Sequence, residues 1–185
     1  FALSNAFFNT SFFEQNIIEI RSKSKYFFDE FILGAKLKSY IFEKYKTKKN
    51  NKNLDIELII KNNYINFDKN KRFNSIFEGS NFTKDLVSEP GNILHPDEYA
   101  KRLKKLGKLG LKVSVYDKKK LKDMGMNALL GVGQGSIRGS YLVVLEWKGS
   151  KSKTKPLAFV GKGVCFDTGG ISLKPAKFME DMTYD

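Results

Sequence analysis

Residues Phe159–Asp185 read FVGKGVCFDTGGISLKPAKFMEDMTYD. An apolar stretch, expected to form a strand over residues 157–161, runs into Lys162 between two glycines. Asp167, a glycine pair, Lys174 and several acids follow. Glycine lets the backbone turn sharply and approach a ligand, and the carboxyl ends of parallel strands are where open α/β sheets bind ligands. These residue types predict an oxygen-ligand site for a divalent cation, with the lysines as electrophiles or phosphate binders. A solvated loop with an ordinary cap explains them equally well.

Upstream of this segment, hydrophobic periodicity predicts helices that alternate with strands from residue 72 onward. The expected helices are 26–42, 72–87, 96–108 and a short basic helix capped by Asp117 and closed by Gly125, and the expected strands are 54–60, 111–116, 141–147 and 157–161. Glu89-Pro90-Gly91 ends the second helix, because proline cannot continue a helix and disfavours helix at the residue before it. The alternation favours an α/β layered domain.

The composition excludes several classes of protein. Of the 185 residues, 41% are hydrophobic and 29% are charged, which is ordinary for a globular chain and argues against disordered and fibrous classes. No stretch approaches the roughly 18 continuous apolar residues that a membrane span needs. With one cysteine, the chain can form neither an intramolecular disulfide nor a multi-cysteine zinc site.

The charge is strongly basic. Lys and Arg number 33 against 20 Asp and Glu, which leaves a net charge of +13. Such a surplus is typical of proteins that bind nucleic acid or an anionic membrane. The alternative is that an AT-rich genome produced the basic composition without a function, because Lys, Asn, Ile and Phe are abundant and all have AT-rich codons. The basic residues are also mixed with acids along the chain, which favours this alternative.

Three further features have a functional and a structural interpretation. Gly131–Gly139 (GVGQGSIRG) lacks the dinucleotide-binding spacing, because Ser136 occupies the position of the third glycine, so we expect a flexible loop. His95 could act as a base or ligand, but its place at a helix start favours capping or packing. Cys165 could be a reactive thiol, but a small core residue is the simpler prediction.

One long stretch of the sequence resembles a known protein family. Val160–Lys174, continued through Met179 and Met182 to Asp185, resembles the metal-binding segment of the leucyl aminopeptidase (cytosol aminopeptidase) family. Thr83–Pro96 resembles the segment that opens the family's catalytic domain, and Gly34–Thr47 the last helix of its N-terminal domain.

The resemblance implies a fold and a division of the chain. It implies an incomplete three-layer α/β/α catalytic domain preceded by the end of an α/β N-terminal domain. Residues 1–72 would be the remnant of the N-terminal domain with its linker, and residues 73–185 the first part of the catalytic domain.

The resemblance also implies roles for individual residues. Lys162 would ligate one metal through its neutral amine, which burial beside a cation would favour. Asp167 would bridge two metals, and Asp185 would be a further ligand of the metal that Lys162 holds. Lys174 would be the catalytic lysine that stabilises the developing oxyanion. Met182 would line the pocket for the substrate's first side chain.

The implied function is a two-metal aminopeptidase that releases N-terminal amino acids, leucine-like ones preferred, from peptides. The implied cofactors are two divalent ions, Mn²⁺ or Zn²⁺ or else Mg²⁺, together with bicarbonate. The complete enzyme would be a cytoplasmic homohexamer that does not bind membranes.

The family's downstream Asn-Thr-Asp-Ala-Glu-Gly-Arg motif does not occur here, so the chain is expected to be a fragment that is inactive alone. Lys177-Phe178 also departs from the family pattern at the pocket rim. Two alternatives stay open. One is a basic nucleic-acid-binding protein, whose affinity would fall steeply with salt, and the other is a non-catalytic relic of a broken aminopeptidase gene.

Overall fold

The computed structural model describes residues 25–48, 59–60, 63–64, 71–150 and 155–183. In chain order the helices and strands are α1 (Lys25–Lys38), β1 (Ile59–Ile60), β2 (Asn63–Tyr64), α2 (Lys71–Ser88), α3 (Pro96–Lys104), β3 (Lys112–Tyr116), α4 (Lys118–Asp123), α5 (Asn127–Gly133) and β4 (Leu142–Glu146). Short 3₁₀ turns follow at Lys105–Leu109, Ala176–Phe178 and Glu180–Thr183. The mixed α/β class is therefore confirmed.

The chain divides into two compact units, residues 1–85 and 86–185. In the first unit, side chains near the end of α2 hold the C-terminal end of α1. The Lys84 ammonium donates to the Leu37 carbonyl, and the Tyr40 hydroxyl donates to Asp85 Oδ1 at 2.7 Å. Phe31 is buried on α1. The predicted helix 26–42 is confirmed, although it ends at Lys38.

The sheet of the second unit consists of β3 and β4, which pair antiparallel with Val113 opposite Leu145 and Val115 opposite Val143. Both strands were predicted from their apolar patterns. Helices α4 and α5 lie in the connection between them along the chain. Leu121 on α4 is fully buried, so this short helix contributes to the core of the unit.

The connection between α2 and α3 is a tight turn built on a buried ion pair. The carboxylate of Glu89 is 2% exposed and accepts from Arg102 Nη1 at 2.9 Å. The Pro90 carbonyl accepts from the amides of Ile93 and Leu94, both at 2.9 Å. Because Arg102 lies on α3, this pair joins the start of the turn to the helix that leaves it.

Local sequence signals explain where α3 and α4 begin and end. Pro96 suits the first turn of α3 because its missing amide hydrogen would have no partner there. Gly110, with φ of 90°, closes the 3₁₀ turn that follows α3. Asp117 caps α4, since its carboxylate accepts from the Lys120 amide at 2.9 Å. All three features match the sequence predictions.

The expected strand over 157–161 is wrong. Residues 155–160 adopt no regular secondary structure, and their side chains are exposed, with Val160 98% accessible. A strand is stable only when its backbone groups pair with a neighbour. Among the described residues, no strand pairs with this segment.

The expected loop over Gly131–Gly139 is only partly correct. Helix α5 runs through Gly131 and Gly133, and the turns begin at Gln134. Each glycine lowers helix propensity by about 1 kcal/mol, which is why the pattern favoured a loop. The helix ends at these glycines instead of beginning there, so the rejection of a phosphate-binding motif agrees with the structure.

Two observations concern the remaining expectations. The predicted strand 54–60 lies outside the described residues except for Ile59–Ile60. Among the described helices, none combines the length and the apolar character needed to cross a bilayer.

Replacing Arg102 by methionine should destabilise the chain. The substitution removes a charged partner from a buried carboxylate, which costs about 3–5 kcal/mol. Urea denaturation measures the loss. The matched control is Lys101→Met, because Lys101 is largely exposed and its ion pair with Glu98 at 3.5 Å is a surface one. Equal unfolding free energies for the two variants would contradict the role assigned to Arg102.

Removing the cap of α4 should have a smaller effect. Asp117→Ala loses the bond to the Lys120 amide and should cost about 1 kcal/mol. Asp117→Asn keeps an acceptor in the same place and should stay close to the unsubstituted chain. Thermal denaturation of the two variants would show no difference if the cap were not formed.

Candidate functional site

The loop between Asp167 and Lys174 closes on itself through backbone contacts. Asp167 Oδ1 accepts from the Gly169 amide at 2.8 Å, and the Lys174 amide donates to the Thr168 carbonyl at 2.9 Å. Gly169 and Gly170 have φ values of 97° and 72°, in the left-handed region that favours glycine. A side chain at Gly169 would also collide with the backbone of the same loop. The glycine pair therefore turns the chain so that Lys174 returns to Asp167.

The side chains of Asp167 and Lys174 form an ion pair, with 3.3 Å between Oδ2 and Nζ. The Gly169 amide, followed by the Lys174 ammonium, lowers the pKa of the Asp167 carboxyl below its usual value, and the charge of Lys162 adds to the effect. Asp167 is therefore an ionised carboxylate that is about half exposed. Two predicted site residues, Lys174 and Lys162, thus act electrostatically on a third, Asp167.

Met182 also reaches this group. Its sulfur lies 2.7 Å from Lys174 Nζ, so the ammonium is bordered by a carboxylate and a thioether. Lys174 is partly buried, with 29% of its side chain exposed. The short turns at 176–178 and 180–183 carry the chain back to bring Met182 to the lysine.

Two members of the predicted site are less constrained. Lys162 is exposed, so the described residues do not provide the burial expected around its amine. Asp185 lies outside the described residues. Among the residues that the structure describes, no group of three or more His, Cys, Asp or Glu side chains could hold a metal ion.

The donor chemistry at the loop fits part of a divalent-cation site. Asp167 supplies an ionised, accessible carboxylate, which is the hard oxygen ligand that such ions prefer. Lys162 supplies an accessible amine whose charge acts on the same carboxylate. These two residues would hold one side of an ion, and the remaining ligands would have to come from elsewhere.

The histidine that the sequence singled out has a structural environment. His95 Nδ1 contacts Asp97 Oδ1, and Arg138 Nη1 donates to Asp97 Oδ2 at 3.2 Å. Burial alone would raise the pKa of Asp97, but the hydrogen bond to His95 and the nearby charges lower it. This cluster ties the glycine-rich turn after α5 to the start of α3, which supports the packing interpretation of His95.

The cysteine behaves as a packing residue as well. Cys165 is partly buried. Burial, followed by the negative charge of Asp97, raises the pKa of its thiol. The group is therefore protonated near neutral pH and is a poor nucleophile.

Sequence reasoning missed Tyr99 and Gly91, which contact the segment between Lys162 and Asp167. A methyl group at Gly163 would lie 3.0 Å from the Tyr99 ring, and one at Gly91 would lie 2.9 Å from Phe166 Cβ. Both glycines have an ordinary φ, so close approach, not backbone conformation, distinguishes them. The glycines themselves are the available sequence signal, but the sequence shows neither their φ nor the partner that approaches them.

Comparison with known proteins gives a consistent result. The model of the cytosol aminopeptidase family, catalytic domain, matches residues 81–185. A probable cytosol aminopeptidase of Phytoplasma mali is 54% identical over 162 residues, which are 84% of this chain and 32% of the relative. The corresponding protein of Brucella anthropi is 48% identical over 160 residues, or 83% and 32% of the two chains. The chain thus spans about a third of the length of these curated relatives.

Solved structures show the same similarity. The cytosol aminopeptidase from Coxiella burnetii matches with a TM-score of 0.72 and 25% identity, over 90% of this chain and 35% of that one. The bottromycin maturation enzyme BotP in complex with Mn matches with a TM-score of 0.65 and 28% identity, over 85% and 32%. Since the family model covers more than half of the chain and agrees with the sequence and structural relatives, this chain belongs to the cytosol aminopeptidase family.

Proposed function

We propose that the protein containing this chain is a metal-dependent aminopeptidase that releases N-terminal amino acids, preferentially leucine-like ones, from peptides. The observation that carries the proposal is the group formed by Asp167, Lys174 and Met182, where an ionised carboxylate, an ammonium and a thioether meet at a glycine-built loop. Family membership supports the reaction class, and the manganese complex of the similar enzyme BotP supports a divalent cofactor.

In this proposal Lys162 and Asp167 hold the cation side of the site. Asp167 would contact both ions of a two-metal centre, and Asp185 would add a carboxylate to the ion that Lys162 ligates. Bound divalent ions polarise a carbonyl group and lower the pKa of water. The depressed pKa of Asp167 keeps its carboxylate charged across the neutral range, so no proton has to leave it before a cation binds.

Lys174 would act on the substrate's scissile carbonyl. An ammonium has three donors, so Lys174 can keep its contact with Asp167 and still donate to a carbonyl oxygen. That bond strengthens as the oxygen becomes negative, and such a difference between ground and transition state accelerates the reaction. The Asp167 contact would keep the ammonium in place before the substrate arrives.

Met182 would form part of the pocket for the first side chain of the peptide. Its position beside Lys174 supports this role, because a residue that contacts the catalytic ammonium is also close to the bond to be cleaved. A flexible, apolar thioether adapts to branched aliphatic groups. The preference for leucine-like residues follows from that chemistry.

The remaining properties of the complete enzyme are part of the same proposal. We propose a cytoplasmic homohexamer that acts on peptides, with Mn²⁺ or Zn²⁺, or else Mg²⁺, as the ions and with bicarbonate assisting proton transfer. Metal-dependent hydrolysis of leucine amide by the purified protein, lost with a chelator and restored by Mn²⁺, tests the function itself.

Lys174→Ala in the complete protein should lower turnover far more than substrate affinity. Removing one donor to a developing oxyanion typically costs roughly 100- to 1,000-fold in rate. Steady-state kinetics with leucine amide measures the effect. The control is Lys119→Ala, which removes an exposed lysine on α4. A raised KM with unchanged kcat would mean that Lys174 only binds substrate.

Asp167→Asn in the complete protein should weaken both metal positions, whereas Asp185→Asn should weaken mainly one. An amide keeps the shape of the side chain but loses the charge that offsets repulsion between two dications. Calorimetric titration with Mn²⁺ separates the two patterns. Equal, single-site losses in the two variants would show that Asp167 does not bridge.

A further inference from the structure

Two contacts, one at each end, hold the stretch 163–166, which joins Lys162 to Asp167. At its beginning the Tyr99 ring lies against Gly163, where a methyl group would be 3.0 Å from Cε1 and 3.6 Å from Cδ1. At its end Phe166 lies against Gly91, where a methyl group would be 2.9 Å from Phe166 Cβ. The two contacts therefore flank the partly buried Cys165.

The two contacts come from neighbouring parts of the chain that an ion pair joins. Tyr99 lies on α3, between Glu98 and the buried Ala100. Gly91 lies in the turn that the Glu89–Arg102 ion pair joins to the same helix. The buried ion pair therefore joins the helix and the turn whose residues contact the stretch 163–166.

At either glycine, an added methyl group would force the neighbouring side chain to shift. Real Cβ atoms are almost never closer than about 3 Å to another carbon, because repulsion rises steeply inside the van der Waals distance. Gly163 and Gly91 are therefore the residues that let the two segments meet. Gly161, on the other side of Lys162, has nothing within 4 Å of the equivalent position.

We propose that Tyr99 and Gly91 are positioning residues that hold the stretch 163–166, so that Lys162 and Asp167 at its two ends are presented to the same cation. The proposal rests on the proposed function for the ligand roles of Lys162 and Asp167. Neither Tyr99 nor Gly91 would touch the ion. They act through the backbone between the ligands, as outer-shell residues do in metal sites.

The test compares two glycines that flank Lys162. Gly163→Ala pushes against the Tyr99 ring, whereas Gly161→Ala adds the same methyl group in open space. In the complete protein, Gly163→Ala should weaken Mn²⁺ binding by about tenfold, the lower end of the effect of outer-shell changes. Gly161→Ala should leave it unchanged. Calorimetric Mn²⁺ titration gives the affinities, and the melting temperatures should agree among all three proteins.

A second readout does not depend on metal. Cys165 is the single cysteine of these 185 residues, and its alkylation rate by iodoacetamide at fixed pH, followed by mass spectrometry of the peptide that contains it, reports how firmly the stretch is held. Gly163→Ala should speed alkylation, and Gly161→Ala should not. In a Tyr99→Leu background, which removes the ring, Gly163→Ala should have no further effect on either readout.

The outcomes distinguish failure of the positioning role from failure of the ligand assignment. Identical behaviour of the Gly163 and Gly161 variants, or additive effects of Gly163→Ala and Tyr99→Leu, would overturn the positioning role. Failure of the unsubstituted complete protein to bind Mn²⁺ would overturn the ligand assignment and the proposed function, and with it the positioning of those ligands. A difference in alkylation would then still identify the Tyr99 contact as real.

Discussion

The buried carboxylate of Glu89 and its partner Arg102 join the turn after α2 to α3, and the contacts to the candidate site depend on this pair. A carboxylate that is 2% exposed is stable as an ion only when a positive group replaces the lost water. Arg102 does so from α3, and it also binds Glu98 through Nε at 3.1 Å. The position of the turn after α2 is thereby coupled to the position of α3. Gly91 lies in this turn and Tyr99 lies on α3, and both contact the stretch 163–166.

The geometry of the site depends on a glycine pair, and its electrostatics depend on an ion pair. The glycine pair at 169–170 supplies a backbone shape that other residues rarely adopt, and this shape returns Lys174 to Asp167. The resulting ion pair and the Gly169 amide lower the pKa of Asp167. In the proposed function, this carboxylate would bind a cation and the neighbouring ammonium would donate to the substrate. The same short loop would then serve binding and transition-state stabilisation.

Local signals predicted much of the fold. Strands β3 and β4 have apolar patterns that are visible in the sequence, and the cap at Asp117 and the stop at Gly110 depend only on nearby residues. The segment 157–161 was mistaken for a strand because pairing is a property of two segments, and a single segment does not reveal its partner. Helix α5 was missed because its glycines weaken the local preference for helix.

The candidate site was predicted mainly through resemblance, since residue types alone left a metal site and a solvated loop equally plausible. The contact of Tyr99 with Gly163 joins residues 64 positions apart, and no periodicity in the sequence reports it. The most direct measurement is the anomalous scattering of manganese in crystals of the complete protein soaked with Mn²⁺. We expect a peak within coordination distance of both Lys162 Nζ and an Asp167 carboxylate oxygen. A fully occupied peak elsewhere, with none beside Asp167, would contradict it.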